Sequence, residues 1–126
     1  MAIKTIVSES GKFAYDRFHF AQATESNGFM LCSGIIGSGA DRKLPSDIKE
    51  EFRNAWKSIS QLLAEAGLGL EDIVEYTSYH VGLQAHMADF MAGRDEFLKE
   101  PWPAIGITEL AFPGAHVEIR VTAQMS

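Results

Sequence analysis

An imidazole, a carboxylate and a guanidinium alternate along His116-Val117-Glu118-Ile119-Arg120-Val121, near the end of the chain. Successive strand residues point to opposite faces. A strand here therefore puts Val117, Ile119 and Val121 on one side and His116, Glu118, Arg120 and Thr122 on the other. A carboxylate in an apolar cleft has a raised pKa and can exchange a proton at a C=N or C=C bond, directly or through a water. The competing reading pairs Glu118 with Arg120, or with a lysine across an interface. His116 could share proton transfer from the same face, but a solvated histidine at a turn edge is the simpler reading.

The remaining reactive side chains are scattered. His80 is a lone histidine inside an apolar strand, a pattern that suits a hydrogen-bonded core or interface residue. His86 falls near the start of a helix and reads as a surface residue. No His-x-x-x-His or His-Glu-x-x-His spacing occurs, so no metal site is expected. The single cysteine, Cys32, rules out an intrachain disulfide framework. It has no basic sequence neighbour to activate it and reads as a buried, inert thiol. Gly37-Ser38-Gly39-Ala40-Asp41 lacks the spacing and lysine of a phosphate-binding loop.

These residues need elements to position them. Residues 3–8 suggest a short strand, and residues 12–24 a mixed, partly extended segment. Asn27-Gly28 is a hairpin signal, followed by an apolar strand from Phe29 to Ile36. Within that strand Gly34 marks a place where a ligand or another backbone comes close. Ser46 or Asp47 caps a helix whose apolar face is Ile48, Phe52, Ala55, Trp56, Ile59, Leu62, Leu63 and Ala66, stopped by Gly67. Asp72 to Val81 alternates as a strand. It sets Ile73, Glu75, Thr77, Tyr79 and Val81 against Val74, Tyr76, Ser78 and His80. A second helix is expected from about Ala85 to Lys99, ended by Pro101 and Pro103. Trp102, between those prolines, reads either as a pocket wall or as a hydrophobic plug. Two closing strands are expected to join at Phe112-Pro113-Gly114-Ala115. The order predicts an α+β two-layer sandwich, a mixed β-sheet with two helices on one face. The opposite sheet face carries enough apolar and aromatic residues to predict oligomerisation through it.

The chain has 126 residues, 46% hydrophobic and 22% charged, which suits one folded domain over 1–126. A net charge of −6 argues against a mainly electrostatic nucleic-acid partner. The N-terminus lacks the apolar core of a signal peptide, and no stretch approaches a membrane span, so a cytoplasmic location and no membrane contact are expected.

Several stretches together resemble the RidA/YjgF family of enamine/imine deaminases, also labelled L-PSP endoribonucleases. Phe20-Ala21-Gln22-Ala23 falls where that family has Tyr-Ser-Gln-Ala. Cys32-Ser33-Gly34-Ile35-Ile36 resembles its Ser-Gly-Gln-Ile strand. Glu50 to Gly67 resembles its first helix, Asp72-Ile73-Val74-Glu75 its Asp-Val-Val-Lys, Pro103-Ala104 its Pro-Ala-Arg, and Val117-Glu118-Ile119 its Val-Glu-Ile. The resemblance implies a chorismate-mutase-like fold and a homotrimer with pockets between subunits. It further implies a small-molecule ligand and no metal or other cofactor. Carried over position by position, it makes Glu118 the catalytic residue. His19, Phe20, Ser33, Gly34, Ile105, Gly106 and Ile107 become the substrate-binding set, with His19 the candidate for a new polar group.

The departures shape the expected chemistry. The family's deaminases grip a substrate carboxylate with an arginine after the Pro-Ala pair, and here that position is Ile105. Phe20 and Ala21 replace the Tyr and Ser. An ionised, geometrically matched guanidinium–carboxylate pair is strong, and isoleucine does not replace it. Ordinary 2-imino-acid deamination is therefore not expected. A more apolar pocket that retains Glu118 is expected to take a neutral or weakly polar enamine, imine or related carbonyl compound. The alternatives are a non-catalytic trimer that binds a metabolite or a protein and, more weakly, an endoribonuclease.

Overall fold

The computed structural model describes residues 3–109 and 115–125. Strand β1 (Lys4–Ile6) leads through a single tight helical turn into α1 (Lys12–Phe18). Then come β2 (Ala23–Ser26), β3 (Phe29–Cys32), the short β4 (Ile35–Ile36) and the long helix α2 (Ile48–Glu65). Strand β5 (Ile73–His80), helix α3 (Leu83–Phe97), β6 (Ala104–Glu109) and β7 (Val117–Gln124) complete the order.

Local chemistry explains most of these boundaries. Asn27 and Gly28 have φ of 52° and 82°, the positive values of a tight hairpin turn between β2 and β3. Asp47 caps α2, its carboxylate accepting the Lys49 N–H at 3.0 Å. Gly67, at φ 74°, ends α2 in the left-handed region. α1 replaces the partly extended segment expected from the sequence. It has two turns and no buried residue, so it leaves no apolar periodicity to read.

The strands form one mixed sheet in the order β1-β2-β3-β7-β5-β6, with β4 also paired to β7. β5 and β6 are parallel, and the other pairs are antiparallel. The two closing strands are thus not neighbours: β5 lies between them. The turn expected at residues 112–115 lies largely outside the described residues. α2 and α3 cover one sheet face. Phe52, Trp56, Ile59, Leu63 and Phe90 pack there on Met30, Cys32, Tyr76, Val117, Ile119 and Val121. Trp56 meets Tyr76 edge to face at 5.3 Å between ring centroids, and Phe52 meets Phe90 at 5.4 Å. This is the expected α+β sandwich, with α1 as a third helix.

The simple alternation read into β5 fails at its start. The ladder to β7 slips between Ile73 and Glu75, so Val74 is an extra residue. That bulge brings Ile73 onto the helix-covered face with Tyr76, Ser78 and His80, all four buried. Glu75, Thr77 and Tyr79 keep to the open face.

Candidate functional site

Glu118 stands on the open face of β7, opposite Tyr79 of β5. Arg120 is its neighbour two residues on, about 6.6 Å along the strand, and lies opposite Thr77. The Arg120 Nε–H donates to the Cys32 carbonyl at 3.2 Å, which ties its side chain to the end of β3. No Glu118–Arg120 ion pair within 4.0 Å occurs among the described residues. The Glu118 carboxylate lies over the backbone of Gly34, where a Cβ would collide with it. The close approach expected at Gly34 is thus made by Glu118 itself.

The register of β6 separates Ile105 from this group. Partners in the β5–β6 pair share a face, so Ile105 and Ile107 go with Tyr76 and Ser78 on the helix-covered side. Gly106 goes with Thr77 on the open side, where its missing side chain leaves Thr77 uncovered. Ile105 and Gly106 border a small hollow of about 210 Å³ with Glu75, Tyr76, Thr77 and Ala104. Burial raises the pKa of the Tyr76 phenol there, and the Arg94 guanidinium opposes the shift.

Phe20, Ser33 and Gly34 lie elsewhere, in a cleft of about 770 Å³ between α1, its leading turn and α2. The Ser33 hydroxyl donates to the Ala21 carbonyl at 2.7 Å, which fastens the end of β3 to the residue after Phe20. His19 is exposed at the C-terminus of α1, with φ of 62°; it lines neither hollow. Glu118 lines neither hollow either. One chain therefore brings Gly34 to Glu118, collects Phe20 and Ser33 with Gly34 in the cleft, and holds Ile105 and Ile107 apart. Trp102 is exposed, its ring centroid 5.6 Å from the Arg94 guanidinium.

A buried polar cluster lies on the helix-covered side. His80 Nε2 is 2.8 Å from Ser78 Oγ, and His80 Nδ1 is 3.0 Å from His86 Nε2. His86 is 4% exposed, not the surface residue expected, because α3 begins at Leu83 and turns positions 86, 90 and 93 inward. Glu51 is 1% exposed on the apolar side of α2. Its carboxylate accepts the His116 backbone N–H at 2.9 Å and lies 2.8 Å from His116 Nδ1. His116 is therefore not merely solvated: it is anchored one residue before β7 begins. The signal in the sequence was Glu51 itself, a carboxylate one residue before Phe52 in the apolar stripe.

Among the described residues no group of three or more His, Cys, Asp or Glu side chains could hold a metal ion. The Cys32 thiol is buried, and burial pushes its pKa up to about 11 against the opposing pull of Arg120. No helix among the described residues is long and apolar enough to cross a membrane.

Comparison with known proteins places this arrangement. Residues 12–125 match the family model described as Endoribonuclease L-PSP. The chain is 30% identical over 130 residues to the RutC family protein YjgH of Escherichia coli, covering 99% of this chain and 98% of that protein. Its structure is similar to that of YyfA from Yersinia pestis, described as a protein of unknown function of the conserved Rid family. The TM-score is 0.87 at 27% identity, over 98% of this chain and 100% of the other. RidA from an Antarctic Psychrobacter shares the fold, with a TM-score of 0.79 at 23% identity over 84% of this chain and 88% of that one.

Proposed function

The chain belongs to the Endoribonuclease L-PSP (RidA/YjgF) family, and on that premise we propose that it acts on small enamine, imine or related carbonyl compounds in a pocket between subunits. The observation that carries this reading is Glu118. It stands on the uncovered sheet face with Tyr79 and Arg120 beside it and Gly34 beneath it. That face supplies a floor, and a second copy of the chain supplies the opposing wall.

In the proposed reaction Glu118 takes a proton from a water as the water oxygen bonds to the imine carbon. The C=N π pair moves to nitrogen, which receives the same proton from Glu118, giving a carbinolamine. Glu118 then takes the hydroxyl proton and returns it to nitrogen as the C–N bond breaks, so that the oxygen lone pair forms the C=O of the product and ammonia leaves. Tyr79 and Thr77 offer hydroxyls on the same face to orient the reacting group. Arg120 supplies positive charge there, while Ile105 pairs with Tyr76 on the other side of the sheet and is not part of this floor.

The test is turnover of freshly generated imines and neutral enamines by the wild-type protein and Glu118→Gln. Ammonia release by the wild type, reduced about a hundredfold or more in the variant, supports the reading. Equal turnover removes Glu118 from the chemistry. A second reading, a non-catalytic binding trimer, is favoured by the exclusion of Glu118 from the cleft of about 770 Å³ beside α2. It predicts ligand binding with no turnover of any of these compounds.

A further inference from the structure

The cleft of about 770 Å³ has the size of a small-molecule site, and its lining is unusual for a chain of net charge −6. One wall is a polar stripe of α2, in which Asn54, Lys57, Ser58, Gln61 and Glu65 recur at helical spacing. Facing it are Ser8, Ser10 and Gln22, with Arg42 from the loop that precedes α2.

Two cations here lack the partners that α2 gives its others. Lys49 reaches Asp89 at 4.0 Å, and Arg53 reaches Glu96 at 3.2 Å and Glu50 at 4.0 Å. Lys57 has Arg53, Asn54, Ser60 and Gln61 three and four residues away, and none is acidic. Among the described residues neither Lys57 nor Arg42 has a carboxylate within 4.0 Å. The Arg42 guanidinium lies 6.0 Å from the centroid of the Phe13 ring on α1. Lys57 and Arg42 outnumber Glu65, the one carboxylate in the lining.

The neutral groups favour the same ligand. Gln22 Oε1 accepts the Ser8 N–H at 2.6 Å and the Ser8 hydroxyl at 2.8 Å. Its oxygen is thereby fixed toward Ser8, which leaves the amide N–H groups to donate. Ser58 and Ser38 add hydroxyls to the lining. A pocket rich in donors with two unneutralised cations selects an anion with hydrogen-bond acceptors.

We propose that this cleft is a binding site for a small anionic metabolite, a carboxylate or phosphate ester. Its charged group is held by Arg42 and Lys57, and its polar body by Gln22 and the serine hydroxyls. The same cleft is bordered by Phe20, Ser33 and Gly34, but the groups that would hold the anion lie on α2, on the loop before it and at Gln22, and Glu118 is not among them.

The test is an amide-resolved NMR titration of the intact protein with inorganic phosphate, and in a second arm with malonate. Each is matched by sodium chloride at equal ionic strength. Saturable shifts at Gln22, Arg42 and residues 54–61 beyond those of chloride are expected in at least one arm, and the responding arm identifies the anion class. Arg42→Gln/Lys57→Gln should weaken that binding at least about tenfold, the removal of roughly 1.4 kcal/mol. The single Lys57→Gln should give an intermediate loss. Glu118→Gln should bind as the wild type does, whether or not turnover is found. Shifts no larger than those of chloride in both arms, or unweakened binding by the double variant, overturn the proposal.

Discussion

Glu118 keeps its place because Gly34 has no side chain. A Cβ at that position would occupy the space of the Glu118 carboxylate, while Gly34 lies between β3 and β4 rather than in the core. Gly34→Ala should therefore cut any Glu118-dependent turnover about tenfold or more, equivalent to roughly 1.4 kcal/mol of lost transition-state stabilisation. Its melting temperature should stay within a few degrees of wild type. Steady-state kinetics beside a thermal melt check this, and an unfolded variant would show instead that the contact is structural. Cys32 gives a second expectation at this scale. Its thiol pKa is raised by burial from 9.0 to about 11, so the folded state holds the proton more tightly than the unfolded chain. This contribution to stability is intact below about pH 9 and is lost as pH rises through 11. A disulfide reagent at pH 8 should modify Cys32 slowly in the native protein and quickly in urea. The alternation around Glu118 was legible in the sequence, because a period of two needs only a few residues to declare itself. The facing of Ile105 was not. It depends on which strand β6 pairs with, and a parallel partner distant in sequence leaves no local mark.

At the scale of elements, α2 does two jobs with adjacent residues. Phe52 and its helical repeats build the core, while Glu51 turns inward to bind the start of β7 through His116. Glu51→Ala would leave the His116 N–H without its acceptor and open space beside the core. It should cost about 3 kcal/mol, the upper range for a buried hydrogen bond to a charged group. Glu51→Gln keeps one acceptor oxygen and should cost roughly half as much. Urea unfolding with an unchanged denaturant slope measures both. His116→Ala should be milder, because its backbone N–H still meets Glu51. α2 and α3 were readable from apolar spacing, caps and proline stops. α1 was not, since two turns with every side chain at least partly exposed carry no core-facing stripe. The bulge at Val74 was hidden for a related reason: an inserted residue reverses a strand's parity without changing its composition.

At the scale of the whole molecule, α2 and α3 cover one side of the sheet, and among the described residues the other side is left open. The open side carries Glu118 and Arg120, and also Phe29 and Leu31, each 39% exposed on the strand next to β7. Apolar side chains held flat on a sheet, beside polar groups that need a dry or confined site to be useful, suit an interface better than water. The covering element is expected to be another copy of the same chain, because a closed ring of head-to-tail contacts repeats one apolar contact and one polar site at every interface. A sheet face closed in this way would also give Glu118 the opposing wall it lacks in a single chain. Sedimentation velocity at micromolar concentration should then give a mass three times that of one chain. Leu31→Glu should shift the distribution toward monomer, because it places a charge on the apolar part of that face without touching the helix-side core. If Glu118 works only in a completed pocket, turnover in Leu31→Glu should fall with the trimer fraction as the protein is diluted. Turnover per chain that ignores dilution would place the site within one subunit. A monomeric wild-type protein would remove the interface altogether.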